Sequence, residues 1–322
     1  MKKTIWILLD NRIGSRHQAE GIANYLDSSK FEIINKEITY TRWAALPNII
    51  RGRTLIGLTK KSQQSLLAPF PDIVLSASRR TAPVARWIKK QNPQTQLVQL
   101  LHIGKYGAKD FTFIFTPEHD KHKYTAPNIQ YTLGSPHAIT EEKLQAAKLI
   151  WQSKFSTLPH PITALIIGGA IKKSSFSSDN AKLLADITKK IKETDGGSLL
   201  ITTSRRTGKA AEEIIMQELY SIPHYAYLWG DKSENPYLGF LACADNLIVT
   251  GDSVSMCCEA TAAHKPLQIF TGKNWLTPKH LRFVNSLYAA GYASPLSTSN
   301  TANPLLPPLN VAKELAEKIS SM

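Results

Sequence analysis

The 322-residue chain has only three cysteines, Cys243, Cys257 and Cys258, two of them adjacent and none at the spacing of a metal-ligand pair. That excludes a disulfide framework and a zinc finger, and unpaired thiols fit a reducing, cytoplasmic compartment. No apolar run approaches the ~20 residues of a membrane-spanning helix. The opening MKKTIWILLD is closed by Asp10 with no small-residue cleavage site behind it, so it reads as a first β-strand rather than a signal peptide. Asp-x-Asp is absent, so metal-dependent sugar transfer of the kind that uses it is not expected. No Gly-x-Gly-x-x-Gly follows any apolar run, which argues against a dinucleotide enzyme. SRRTGKA contains Gly-Lys, yet Thr203 and Ala210 stand where a P-loop needs Gly and Ser or Thr. Nothing resembles a recognition helix, a finger or an RNA-stacking signature, and nucleic acid is not an expected partner. The run EHDKH, Glu118 to His122, fits no metal-ligand spacing; Glu118 and His119 are read as loop residues on the acceptor side, and no metal site is predicted.

Acidic residues are also scarce, 25 against 39 Lys and Arg, for a net charge of +14. Residues 1–160 hold 23 Lys and Arg against 11 Asp and Glu, leaving 16 against 14 for the remainder. The basic excess belongs to the first half, which points that half at an anionic partner such as phospholipid, a phosphorylated glycan or nucleic acid, the last being the weakest of the three. A solvated basic surface is the plainer alternative.

With 43% apolar and 20% charged residues, the chain has the composition of a soluble globular protein with room for two cores. Short runs rich in Ile, Leu and Val alternate with segments of helical spacing, the pattern of parallel sheets covered by helices on both faces. Strands are expected near 3–9, 31–38, 72–76, 96–101, 112–115, 129–132, 162–167, 198–203, 225–229, 246–250 and 267–270. Helices are expected near 16–27, 55–67, 82–91, 141–154, 179–193, 208–219, 236–243, 253–263, 278–290 and 310–321. The two prolines of FSTLPHPITALIIGGA mark a linker. This gives an α/β protein with a basic N-terminal domain over 1–158, a second domain over 159–309 and a final helix, 310–322.

The tetrapeptide SRRT occurs twice, at 78–81 and at 204–207, each time between a strand and a helix. In open α/β sheets that position binds ligands. A serine cap, free backbone N–H groups, the positive end of a helix and two guanidinium groups would together receive phosphate or carboxylate. Ser204, Arg205, Arg206 and Thr207 are therefore nucleotide-side candidates, and Arg79, Arg80 and Thr81 acceptor-side candidates. The alternative is that each Arg pairs with a carboxylate at a sheet edge.

Residues 235–270, NPYLGFLACADNLIVTGDSVSMCCEATAAHKPLQIF, read as a helix opened by Asn235 and Pro236, a strand, a tight turn and a second helix. With Asp252 as its cap, Asp252, Ser255, Met256 and Glu259 follow i, i+3, i+4, i+7 spacing on one helix face. Seven residues rise about 10 Å, roughly the reach from a diphosphate at the helix start to a ribose that a carboxylate can hold. The plainer reading makes Glu259 a solvated residue and Ser253 and Ser255 capping residues.

These stretches in this order, WILLDNRIGSRHQAEGIANYL, DIVLSASRRTAPVA, FIFTPEHD, LIIGGA, LITTSRRT, ENPYLGFLACAD and TGDSVSMCCEA, resemble the elongated-mitochondria family of fission proteins and its bacterial relatives, from about residue 6 to residue 290. The resemblance implies a GT-B-like fold, two Rossmann-type doubly wound domains facing a central cleft, similar to nucleotide-sugar glycosyltransferases. TGDSVSMCCEATAAHKPLQIF also looks like the nucleotide-sugar signature of the transferase that adds N-acetylglucosamine to the peptidoglycan lipid precursor, and LIIGGA like its glycine-rich turn. Carried over, Gly168, Gly169, Ser253, Ser255 and Glu259 become nucleotide contacts. The first turn of that enzyme is richer in glycine; DNRIGSRHQAEG keeps Gly14 and His17, with Gln18 beside them on the acceptor side. Asp10 and His17 compete as the base that deprotonates an acceptor hydroxyl. Asp252 places a negative charge where a diphosphate would sit, so Arg205 or Arg206 has to offset it.

The expectation is a metal-independent, inverting glycosyltransferase of the cell envelope, cytoplasmic and membrane-peripheral. A nucleotide-sugar would be its donor substrate, and no cofactor is expected. Its acceptor would be an anionic or lipid-linked glycan. The alternative is a non-catalytic adaptor that docks proteins at a membrane, as the fission role of the family it resembles suggests.

Overall fold

The computed structural model describes residues 2–172, 174–298 and 306–322. The chain forms two compact units, Met1–Ala138 with Asn310–Met322, and Ile139–Leu309. Each is built on a parallel six-stranded sheet.

The first unit comprises β1 (Lys3–Leu9), α1 (Ile13–Ala23), β2 (Phe31–Glu37), α2 (Asn48–Arg51), α3 (Lys60–Gln64), β3 (Ile73–Ser76), α4 (Ala82–Gln91), β4 (Gln96–Leu100), β5 (Phe113–Pro117) and β6 (Ile129–Thr132). Strand order is β2-β1-β3-β4-β5-β6. The central strands read as continuous apolar runs because both faces are covered; all four residues of β3 are buried. In α4, Pro83 sits in the first turn, where a missing N–H costs nothing, and Val84, Ala85 and Ile88 face Trp6, Leu8, Val74 and Leu97 in the core.

The second unit comprises α5 (Glu141–Phe155), β7 (Ile162–Ile167), α6 (Ser178–Asp195), β8 (Ser198–Thr203), α7 (Lys209–Glu218), β9 (His224–Tyr227), α8 (Tyr237–Cys243), β10 (Asn246–Thr250), α9 (Val254–Thr261), β11 (Leu267–Phe270), α10 (Pro278–Ala289) and β12 (Ser294–Pro295). Strand order is β12-β11-β10-β7-β8-β9. A last helix, α11 (Val311–Ser320), rejoins the first unit. There it packs on α1, and Asn310 Nδ2 donates to Tyr25 Oη at 2.7 Å.

The helix expected over 55–67 is corrected, and the limits of the compact units fall at other places than the expected domain limits. The helix expected over 55–67 does not form, because Gly57 adopts φ +92° and its carbonyl accepts from Thr41 N, while Thr59 caps only the short α3. The expected boundary at 158/159 lies twenty residues beyond the boundary between the compact units. Trp151 and Phe155 of α5 stack at 5.8 Å, Phe155 meets Phe240, and α8 approaches so closely that a Cβ on Gly239 would lie 2.4 Å from the Trp151 ring. The helix expected at the end of the chain forms as α11 and belongs to the first unit, with Val311, Ala312, Leu315, Ala316 and Ile319 buried.

Candidate functional site

In both sheets the chain order reverses beside the first strand of the unit, between β1 and β3 and between β7 and β10. The turns leaving the carboxyl ends of β1, β3, β7 and β10 sit at the topological switch points where α/β sheets hold ligands and carry most of the residues singled out from sequence; the second SRRT leaves the neighbouring β8.

In the second unit, register brings three turns together. β7 and β8 pair from Ile162↔Ser198 to Ile167↔Thr203, so Gly168 and Ser204 leave the sheet at one level, and β10 pairs with β7 so that Gly251 does too. Asp252 locks them. Its side chain is fully buried; Oδ2 accepts from Gly169 N at 2.8 Å and pairs with Arg206 Nη2 at 2.9 Å, and Oδ1 accepts from Thr250 Oγ1 at 2.8 Å. Thr250 Oγ1 in turn accepts from Gly168 N at 2.7 Å. Burial pushes the Asp252 carboxyl above the usual carboxylate range, against the pull of Arg206, the Gly169 N–H and the Thr250 hydroxyl. A Cβ on Gly168 would lie 2.2 Å from Asp252 Oδ1, and one on Gly169 1.9 Å from the Arg206 carbonyl oxygen. The two glycines are therefore required by neighbouring turns.

Each SRRT is the same closed turn. Ser204 N donates to Thr207 Oγ1 at 2.9 Å and Thr207 N to Ser204 O at 3.0 Å; in the first unit Ser78 N donates to Thr81 Oγ1 at 3.2 Å and Thr81 N to Ser78 O at 3.2 Å. The serines close turns and do not cap helices: Gly208 precedes α7, and Thr81 precedes α4 without a side-chain cap bond. The arginines divide. Arg206 is committed to Asp252 and, at 3.1 Å, to Ala170 O. Arg205 is exposed and makes no hydrogen bond or ion pair among the described residues. Arg79 Nε donates to His102 O at 3.1 Å, and Arg80 lies over the Tyr40 ring at 5.5 Å, so neither finds the carboxylate that a sheet-edge pairing would need.

Ser253, not Asp252, caps α9, accepting from Met256 N at 3.4 Å, which corrects the expected helix start. Asp252 points inward and leaves the proposed face. Ser255 is exposed on the first turn of α9, where backbone N–H groups have no intrahelical partner. Met256 and Glu259 are half-buried, and Glu259 Oε2 accepts from Tyr237 Oη at 2.7 Å. Burial, with Glu259 beside it, pushes the Tyr237 hydroxyl well above its usual range, so it stays protonated and orients the carboxylate. Asn235 Oδ1 accepts from Tyr237 N at 3.0 Å, which starts α8 and presents that tyrosine. Sequence reasoning missed Tyr237 and Thr250, as well as a depression lined by Ser174, Ser175, Ser177, Asp179 and Lys273 near the start of α6. The serine run ahead of Asp179 was the available signal.

In the first unit, β1 and β3 pair so that Leu8 faces Ser76, which brings Asp10 level with Ser78. Asp10 is buried; Oδ1 accepts from Arg12 N at 3.1 Å and Oδ2 has no partner. His17 is exposed on α1, with Gly14 exposed one turn before it and Gln18 half-buried beside it. A Cβ on Gly14 would meet nothing, so packing does not demand that glycine. Glu118 is exposed at the end of β5, whereas His119 is buried. Among the described residues no group of three or more His, Cys, Asp or Glu is placed to hold a metal ion, and no helix is long and apolar enough to cross a membrane. Cys257 and Cys258 are buried and Cys243 partly so. Burial pushes the Cys257 thiol far up, which leaves it unreactive.

The family model of the mitochondrial fission ELM1 proteins matches residues 13–322. The chain belongs to the mitochondrial fission ELM1 family. Among its relatives, the uncharacterized Rickettsia prowazekii protein RP120 is 31% identical, over 98% of this chain and 97% of that protein. The Arabidopsis thaliana mitochondrial fission protein ELM1 is 27% identical over 82% of this chain, an alignment that spans 66% of the plant protein. The fold is that of GT-B proteins. The UDP-GlcNAc 2-epimerase of Methanocaldococcus jannaschii superposes at TM-score 0.59 with 13% identity, covering 99% of this chain and 98% of that one. The Neisseria meningitidis UDP-GlcNAc 2-epimerase, solved bound to UDP-GlcNAc, superposes at 0.56 with 12% identity, over 99% of this chain and all of that one. Acinetobacter baumannii MurG superposes at 0.50 with 12% identity, over 98% and 90%. At these identities the ELM1-family chain shares a fold with the three enzymes.

Proposed function

We propose that this protein binds a nucleotide-sugar through the carboxyl end of its second sheet and transfers the sugar, without a metal, to an anionic or membrane-associated glycan acceptor. The observation that carries the reading is the division of labour at the three converging turns. Arg206 neutralises the buried Asp252, which leaves Arg205, at the end of β8, as the outward-facing cation of these turns, beside the unpaired backbone N–H groups of the first turn of α9. A diphosphate suits them, and Glu259, oriented by Tyr237 one turn further along α9, suits the ribose hydroxyls. Support from outside the chain is the UDP-GlcNAc bound by the Neisseria epimerase of the same fold. Asp10 and His17 remain the two candidate bases; His17 is exposed, and Asp10 Oδ2 is enclosed. In the transfer the acceptor oxygen gives its proton to a general base and bonds to the anomeric carbon. The bond from that carbon to the diphosphate oxygen breaks, and Arg205 with the α9 amides receives the charge.

The second reading, an adaptor without catalysis, is favoured by membership of a family named for mitochondrial fission. Thermal unfolding with uridine, guanosine, adenosine and cytidine diphosphates separates the two. One nucleotide should raise the melting temperature and the others less; no shift with any of them would leave the adaptor reading.

A further inference from the structure

The segment between β2 and β3 is built against the usual order of burial. From Ile38 to Pro71 the sequence holds five cations, Arg42, Arg51, Arg53, Lys60 and Lys61, and no carboxylate. Of eleven exposed large apolar side chains among the described residues, five fall here: Trp43, Ile49, Ile50, Ile56 and Leu67, from 47% to 67% exposed. In α2 the sequence NIIR turns both isoleucines outward and buries the arginine completely. Hydrophobicity alone would do the reverse.

The display is held from beneath. Arg51 Nε donates to Ile56 O at 3.1 Å, and Arg86 Nη1 donates to Gly52 O at 2.9 Å. Arg53 and Arg86 both bind the buried Asp110, the latter at 2.7 Å. Asn48 Nδ2 donates to Arg79 O at 2.8 Å, and a Cβ on Gly57 would lie 2.8 Å from Ala44 N. The apolar side chains thus stand on a braced platform. Arg42, Lys60 and Lys61 are exposed among them without an ion pair among the described residues, and the Arg42 guanidinium lies 5.3 Å from the Trp43 ring.

We propose that residues 42–67 are a docking face for an anionic phospholipid bilayer, with Ile49, Ile50, Ile56 and Leu67 entering the acyl boundary, Trp43 at the headgroup level and Arg42, Lys60 and Lys61 on the lipid phosphates. The mixture of charge and apolar surface selects this occupant. A second copy seated on the same face would oppose its unneutralised cations, and the phosphate backbone that supplies most nucleic-acid affinity would leave most of the exposed isoleucine and leucine surface in water. The proposal rests on the geometry of the first unit alone and stands apart from nucleotide binding.

Co-sedimentation of the full chain with phosphatidylcholine vesicles, with and without phosphatidylglycerol, tests it. The chain should bind the anionic vesicles and retain part of that binding at high salt. Ile49→Ser with Ile50→Ser should weaken it more than about tenfold at every salt concentration, since each isoleucine loses its burial. Lys60→Ala with Lys61→Ala should weaken it and flatten its salt dependence, whereas Lys182→Ala with Lys190→Ala, exposed on α6, should leave it unchanged. All six side chains are exposed, without a hydrogen bond or ion pair among the described residues, and an unchanged melting temperature confirms that the variants fold. Absence of binding to anionic vesicles overturns the proposal, as does full binding by the isoleucine variant or an equal loss in the α6 variant. Binding only to an acidic protein also overturns it.

Discussion

Single residues separate roles that look alike in sequence. Arg205 and Arg206 are neighbours in one tetrapeptide, but only Arg206 holds up the fold. Arg205→Ala should weaken nucleoside-diphosphate binding by roughly 1.5–3 kcal/mol and leave the melting temperature unchanged. Arg206→Ala should instead lower stability by about 3 kcal/mol, because it leaves the Asp252 carboxylate buried without its cation. Calorimetric titration and urea unfolding distinguish them, and the reverse pattern would refute the assignment. Glu259→Gln and Tyr237→Phe should each weaken nucleoside-diphosphate binding while barely changing that of inorganic pyrophosphate, which has no ribose. Equal losses for both ligands would make the pair structural. Asp110 supplies a pH signature. Burial pushes its carboxyl up, but the hydrogen bonds and charges of Arg53 and Arg86 outweigh that and hold it below the usual range. Its stabilisation is therefore complete above the ordinary Asp range and is lost as pH falls through the depressed folded value. Asp110→Asn should lower the melting temperature at neutral pH and flatten its decline between about pH 5 and pH 2.

Elements were legible wherever a continuous apolar run met a turn signal. β1, β6, β7, β8, β10 and β11 begin and end where hydrophobic periodicity places them, as does α4 with its early proline. The stretch over 55–67 was not legible: its helical spacing of leucines competes with Gly57, whose positive φ and contact with Ala44 depend on the chain folded beneath it. The same holds at α9, where sequence offers Asp252 and Ser253 as equally good caps and only the position of Arg206 decides which turns inward. Attachment of α5 to α8 is likewise a packing outcome with a testable cost. Trp151→Ala should destabilise the second unit by about 3–5 kcal/mol in urea, and Gly239→Ala should do so by driving a methyl group into the Trp151 ring. Stability within about 0.5 kcal/mol of the parent in both variants would detach α5 from that unit.

At the scale of the whole molecule, the charge asymmetry seen along the chain becomes a property of a folded unit. The first unit, with its returning helix, holds 22 Lys and Arg against 11 Asp and Glu, and the second 17 against 14. Ending the chain after Leu309 should strip α11 from α1 and lower the unfolding temperature of the first unit, with nucleotide binding by the second preserved. Hydrogen exchange on the full chain should show protection by nucleoside diphosphate over residues 167–170, 204–209 and 250–256, with the first unit unaffected. Protection confined to the first unit would place the nucleotide elsewhere. Sequence by itself determined the two parallel sheets, the helices that cover them and the strand-to-helix turns that carry SRRT, because periodicity and turn chemistry act over a few residues. Tertiary structure alone decided which charges face outward. The half-exposed Arg206 neutralises the buried Asp252, Arg51 is buried beneath outward isoleucines, and Arg205 has no partner among the described residues, since the burial of a charge depends on partners brought from distant parts of the chain.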